Sequence, residues 1–476
     1  MTDTGVVFPA GPDGRRSTAA LGRAVVADAL RPVDPTGAGA AERETNWRAG
    51  YLSHFRRLVE AGLASREAAL AIADAGLTSL HRRMRVAGPD GTETPLGDLA
   101  GTPAGRALAT AELTGTAEPE RELSLPFRGE RLRGDALLRR LDTWVEGGIV
   151  EPSAAEAVRT VAAHPEWLAL PGTTVVVLGA GAEMGPLTAL LRWGARVAGV
   201  DLPRPALWER VLDTARRGAG TLLYPDGGAD LISEVPAVAD WVTGLPGHLV
   251  LGDYVYADGA TNVRVSTAVD ALTVRLAAAR GDLALAFLAT PTDVFAVPAD
   301  AVAQSVRAYA GRSRAAKLLG RPLRTLSAGR LLQRAYLPGS DPGVVDSLVA
   351  QQGPNYALAK RLQRWRATVA RATGATVSMN VAPPTRTRSV VRNRALAAAY
   401  AGAHRFGVEV FDPATSNVLM AALLVHDLHT GGGPAHEQPW QDEAYAAVHG
   451  GLWRTAYAPR SALGLAALLG YGAARG

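Results

Sequence analysis

"VVVLGAGAEMGPLTALLRWGARVAGVDLP", residues 175–203, runs from an aliphatic stretch into Gly179, Gly181 and Gly185, then through an amphipathic stretch to a second aliphatic run that ends on Asp201. This order reads as strand, tight turn, helix and strand. Such a turn lets the backbone approach a ligand closely, offers free N–H groups at the start of the helix, and sets a carboxylate at the tip of the next strand. Phosphates suit the first two of these features and ribose hydroxyls the third.

A nucleotide site of Rossmann type is therefore expected, held by Gly179, Gly181, Met184, Gly185 and Asp201. The spacing Gly-x-Gly-x-x-x-Gly is one residue longer than the usual dinucleotide fingerprint. Glu183, inside the turn, would oppose a pyrophosphate unless it points outward. The same stretch also resembles the first motif of Rossmann-like methyltransferases, which hold S-adenosylmethionine. That family usually carries an acid just before the first glycine, where Val177 and Leu178 stand here.

Outward from this turn, short aliphatic runs alternate with helical stretches: "TTVVVLG", "ARVAGVD", "GTLLYP", "HLVLGDY", "LALAFLAT" and "ATVSMNVAP". Strands separated by helices predict βαβ units, and so an α/β fold with a Rossmann-like doubly wound parallel sheet. Residues 1–170 read as a helical N-terminal region with almost no strand signal. Within it "GYLSHFRRLVEAGL" and "SREAALAIADAGLTSLHRRM" carry three- and four-residue apolar spacing, Ser65 is an N-cap, and Ser153 with Glu156 forms a capping box. Residues 171–430 are expected to form the nucleotide-binding domain, with 298–340 an Arg-rich helical insertion, and residues 431–476 a helical C-terminal extension. The last apolar stretch, "SALGLAALLGYG", is too short to span a bilayer and is expected to dock on the core or on another subunit.

The chain has 476 residues and 47% hydrophobic content, enough for a full core. It has no cysteine, which excludes disulfides, thiolate metal sites and cysteine nucleophiles. The net charge of +5 comes from arginines spread along the chain among acids, so no nucleic-acid partner is expected. The N-terminus lacks the apolar core of a signal peptide and no run is long enough for a membrane span, which predicts a cytoplasmic protein.

Only two of the 50 basic Lys and Arg residues are lysines, Lys317 and Lys360. Lys360 follows Tyr356 by four residues in "GPNYALAKRLQRW", so on a helix the two share a face. An ammonium beside a phenol favours the phenolate and brings an acid/base group toward neutral pH. It can also hydrogen-bond a ribose.

With this pair the sequence resembles the short-chain dehydrogenase/reductase family, in an atypical form extended at both ends. The likeness rests on the turn at 179–185, Asp201, Tyr356-x-x-x-Lys360 and "VSMNVAPPTRT", and covers roughly residues 172–430. It implies hydride transfer between NAD(P) and an alcohol or ketone. Tyr356 would exchange the hydroxyl proton, Lys360 would lower its pKa and hold the ribose, and Pro383 would lie below the nicotinamide, with Pro384 where the family usually has Gly. The family's serine, thirteen residues before the tyrosine, is Gly343 here. Thr290 and Thr292 in "FLATPTD" are preferred in its place, with Ser347 and Ser340 as alternatives. "LGDYVYADGATN" replaces the family's Asn-Asn-Ala-Gly, leaving Asp253 and Asn262 as weaker candidates. Asp201 favours NAD, and Arg204 nearby keeps NADP open. These departures also admit dehydration, isomerisation or a non-catalytic NAD(P)-binding regulator.

Arg386 and Arg388 are candidates for an anionic or carrier-bound substrate. His426, Asp427, His429, His436 and Glu437 match no metal template, so no metal is expected. A homo-oligomer is expected only by the family's habit.

Overall fold

The structure, a computed structural model, describes residues 4–472. Residues Thr110–Thr114 form an edge strand, β1. The six aliphatic runs become β2 (Thr173–Leu178), β3 (Arg196–Val200), β4 (Thr221–Pro225), β5 (His248–Asp253), β6 (Ala284–Ala289) and β7 (Val377–Val381). Across the sheet the order is β7-β6-β5-β2-β3-β4-β1. β2 to β7 are parallel, with Val250 opposite both Val175 and Ala284, and β1 runs antiparallel to β4. Taken alone, the six parallel strands have the doubly wound order in which the chain winds outward from β2 in both directions. Their side chains are buried on both faces, which is why the sequence shows continuous aliphatic runs rather than alternation.

The Gly259–Ala279 and Gly353–Ala372 helices cover one face of the sheet. The Thr18–Leu30, Trp47–Gly62 and Arg66–Arg83 helices form a further layer outside them, so that Val25, Phe55, Leu77, Leu272, Trp365 and Val176 share one core. On the other face, the Gly134–Glu146 and Pro152–Ala163 helices pack with Pro413–His429, joining Leu141, Val158 and Leu423 to Val177 of the sheet. Pro413–His429 is apolar almost all round because it is buried almost all round. The first 170 residues thus contribute a strand and helices to both faces.

Two details correct the sequence reading. The N-terminal region contains strands that its helical patterning does not announce: β1, and a three-stranded antiparallel sheet of Gly5–Val7, Arg85–Ala87 and Glu93–Pro95. The three-residue strands are too short to show a period, and Thr110–Thr114 alternates polar and apolar over only five residues. Ser65 caps its helix, accepting from Ala68 N at 3.1 Å, but Ser153 makes no capping box. Pro152 opens that helix instead, and the Ser153 hydroxyl accepts from Ala446 N at 3.1 Å.

Residues 298–340 contain two helices, Ala299–Ala310 and Arg314–Leu326. They are closed at the base by an antiparallel pairing of Val294–Val297 with Gly343–Asp346. At the C-terminus the Pro459–Gly470 helix lies against Arg394–Gly402, where a Cβ on Gly402 or Gly470 would collide with the facing backbone.

Candidate active site

Adjacent strands β2 and β5 lead in opposite directions across the sheet, and the crevice above their carboxyl ends is where such sheets hold ligands. Gly179 follows β2 with φ +85°, and a Cβ there would stand 3.0 Å from the Tyr254 carbonyl oxygen. The turn is held from both sides. Gly179 N donates to Val200 O at 2.9 Å, and the Asn417 side chain donates to Gly185 O. Met184 packs at the margin of the core below.

Asp201 ends β3 as expected, and its carboxylate grips the glycine turn. Its two oxygens accept from Gly181 N and Leu202 N, each at 2.8 Å. Burial pushes its carboxyl up, and these two N–H groups oppose that. The helix after the turn is short, Leu187–Arg192, and begins after Pro186. Glu183 points to Arg388, which holds it through Nε at 2.6 Å and backbone N at 2.8 Å. Arg388 therefore neutralises the acid of the turn. Arg386 is exposed, with its backbone N on Phe411 O.

The Gly353–Ala372 helix carries Tyr356 and Lys360 one turn apart, beside β6. Thr290 and Thr292 follow β6 and are buried, with their hydroxyls 2.9 Å apart. The Tyr356 phenol lies near both threonine hydroxyls. Burial pushes the Tyr356 phenol above its usual value, while the two threonines pull it down. This corrects the expectation that Lys360 depresses it.

The Lys360 ammonium is turned elsewhere, donating to Leu288 O at 3.3 Å and to Gln363 Oε1 at 2.9 Å. Asp253, at the end of β5, is buried near both Lys360 and Gln363. Burial pushes the Asp253 carboxyl up to about 6, although Lys360 and Gln363 pull the other way. Burial lowers Lys360 in turn, and Asp253 opposes that. Asp253, Gln363 and the Lys360 ammonium thus form one cluster at the carboxyl ends of β5 and β6. Gln363 escaped the sequence reading, although its place three residues after Lys360 on one helix was a usable signal.

A second buried network fixes the threonines against the helix. Asp293, next to Thr292, accepts from Arg361 at 2.8 Å and Arg364 at 2.7 Å, and Arg364 also donates to Glu443 at 2.7 Å. Ser347 N donates to Asp293 O at 3.1 Å, while the Ser347 hydroxyl is buried without a hydrogen bond. At the mouth, the Tyr256 ring meets Tyr356 edge-on, with centroids 6.3 Å apart. Pro383 is buried after β7, and its carbonyl accepts from the Thr385 hydroxyl at 2.9 Å. Asn262 caps the loop after β5, accepting from Ala257 N at 3.0 Å.

The side chains of the histidine-rich segment are taken up in contacts with other parts of the protein. Asp427 accepts from Ser378 and Asn380, His429 stacks on Trp167, and His436 pairs with Asp442. Among the described residues no three His, Asp or Glu side chains gather as metal ligands, and no helix is long and apolar enough to cross a membrane.

No protein-family model and no curated protein matches the chain. Among solved structures, a protein assigned as an NAD(P)-dependent gluconate 5-dehydrogenase from Beutenbergia cavernae, with bound NADP, aligns at 16% identity over 60% of this chain and 98% of that one, with a TM-score of 0.32. A thiolation-reductase di-domain from an archaeal non-ribosomal peptide synthetase aligns at 10% identity over 53% of this chain and 66% of that one, with a TM-score of 0.28. The central sheet is nonetheless a Rossmann-like, mostly parallel sheet by its own strand order.

Proposed function

We propose that the chain is an NAD(P)-dependent oxidoreductase acting on a ketone or alcohol, with its site spread over residues 171–430. The observation that carries this reading is the buried pair of Thr290 and Thr292 hydroxyls, 2.9 Å apart after β6, with the Tyr356 phenol near enough for both to lower its pKa.

A nicotinamide cofactor fits the residues present. Lys360 has three N–H donors and uses two, leaving one for a ribose hydroxyl. The Asp201 oxygens each accept one N–H and retain a lone pair. When bound, the nicotinamide supplies the hydride.

The protein's own residues then handle the oxygen and its proton. The Thr290 and Thr292 hydroxyls hold a carbonyl oxygen against Tyr356. The phenol, kept protonated by burial, donates its proton to that oxygen as charge develops there. A raised pKa suits the acid role and so the reducing direction. Lys360 holds the ribose, and Asp253 and Gln363 fix its ammonium in place.

Thermal stabilisation by NADH, NADPH and S-adenosylmethionine, side by side, tests the cofactor. A ligand at 100 times its Kd should add about 2.7 kcal/mol. Turnover of Tyr356→Phe tests the chemistry and should fall about 10²- to 10⁴-fold with cofactor affinity unchanged. Stabilisation by S-adenosylmethionine alone would replace this reading with a methyltransferase.

A further inference from the structure

The balance of charges along the chain fails in one place. Between Asp300 and Asp341 there are eight basic residues and no acid, in a chain whose net charge is +5, so all the rest of the protein sums to −3. Among the described residues no carboxylate pairs with any of the eight, whereas arginines elsewhere are repeatedly paired. Arg312 and Arg334 lie over the ring of Tyr309 and Arg324 donates to its hydroxyl, while Arg314, Lys317, Arg321 and Arg330 are exposed.

The Arg314–Leu326 helix in this segment is amphipathic with its apolar face turned outward. Leu318, Pro322 and Leu326 recur every four residues, and Leu318 is 69% and Leu326 85% exposed. The side turned to the protein carries Gly320, which is buried against Leu332. Lys317, Arg321 and Arg314 run along one side of the exposed stripe. Leu337, 76% exposed, continues the apolar surface of the segment in sequence.

A soluble helix that faces its own core buries such a stripe. Exposed apolar side chains beside a row of unpaired cations match a lipid interface, where leucines enter the acyl boundary and cations meet anionic headgroups. An acidic protein or a nucleic acid would answer the charge but give the two leucines no apolar phase.

We propose that the 301–340 segment docks the protein on the surface of an anionic membrane through the Arg314–Leu326 helix, without crossing it. This holds whether or not the oxidoreductase reading does.

The test is co-sedimentation of the full chain with phosphatidylcholine vesicles, with and without phosphatidylserine. Binding should be at least about tenfold stronger to the anionic vesicles and should weaken as salt rises from about 0.05 to about 0.5 M. Leu318→Ser with Leu326→Ser, and separately Lys317→Glu with Arg321→Glu, should each lower it about tenfold. Melting temperatures should be unchanged, since all four side chains are exposed. No preference for anionic vesicles would overturn the proposal, and is what an acidic protein partner predicts. Undiminished binding by the leucine variant would overturn it too, leaving only polyanion attraction.

Discussion

Arg364 donates to Asp293 at 2.7 Å, tying the residue after Thr292 to the helix that carries Tyr356, two turns further along it. Both side chains are buried, and Arg361 and Glu443 complete the group, so each charge has a partner. The arrangement ties the segment that carries Thr290 and Thr292 to the helix that carries Tyr356.

Removing one member leaves the others buried and uncompensated. Asp293→Asn should therefore cost about 3–5 kcal/mol, read as a lower urea midpoint. Arg364→Met should cost a similar amount, and the double variant less than the sum of the two, because the charges act as a unit. Additive losses would mean that Asp293 and Arg364 are not coupled.

Gly179 and Gly185 make a matched pair for testing the turn. Gly179 has a positive φ and the Tyr254 carbonyl close by, so Gly179→Ala should cost about 1–2 kcal/mol for the backbone alone and weaken dinucleotide binding further. Gly185 lacks a positive φ, and a Cβ there would meet only ordinary contacts at 3.5 Å. Gly185→Ala should leave the urea midpoint within about 0.5 kcal/mol of the parent. Equal losses would remove the special role of Gly179.

The sheet was legible because each parallel strand is an unbroken aliphatic run, and burial on both faces dictates that composition. Tyr356, Lys360, Thr290 and Thr292 could be picked out of the sequence as candidates, and the structure puts the two threonine hydroxyls 2.9 Å apart. What the sequence hid was direction. Nothing in Tyr-x-x-x-Lys says that the ammonium turns to Leu288 O and Gln363, because those partners lie 72 residues back on β6 and three residues on along the helix. Likewise Glu183 read as an obstacle until Arg388, 205 residues away, closed on it. β1 was missed because its alternation of polar and apolar residues, Thr-Ala-Glu-Leu-Thr, runs over only five residues.

The Glu183 and Arg388 pair predicts an effect on binding with little effect on stability. Their side chains are 25% and 60% exposed, so breaking the pair should change stability by no more than about 1 kcal/mol. A dinucleotide pyrophosphate over the turn would feel the difference. Glu183→Gln should tighten NADH binding about two- to tenfold, and Arg388→Ala, which frees the acid, should weaken it by a similar factor. Titration calorimetry at low and high salt checks both, and the two shifts should shrink together as salt rises.

Acid stability should carry the mark of Glu151. It is buried, accepting from Arg454 Nε at 2.7 Å and Nη2 at 2.6 Å and from His449 Nε2 at 2.8 Å. Backbone N–H groups of Gly451 and Trp453 point at His449 Nδ1, so the ring meets Glu151 as a neutral Nε2–H donor, in keeping with burial lowering its pKa. Burial alone would raise the Glu151 carboxyl, but the hydrogen bonds from Arg454 and His449 hold it down at about 2. Its unfolded value is about 4.3, so on acidification the unfolded chain takes up the proton first. The stabilisation is therefore complete above about pH 5 and is lost as pH falls toward 2, about 3 kcal/mol in all at one unit per 1.36 kcal/mol. Glu151→Gln should lower the urea midpoint at pH 7, and its gap from the parent should narrow steadily between about pH 5 and about pH 2.5. A constant gap would place the titration in other carboxylates and leave Glu151 as packing alone.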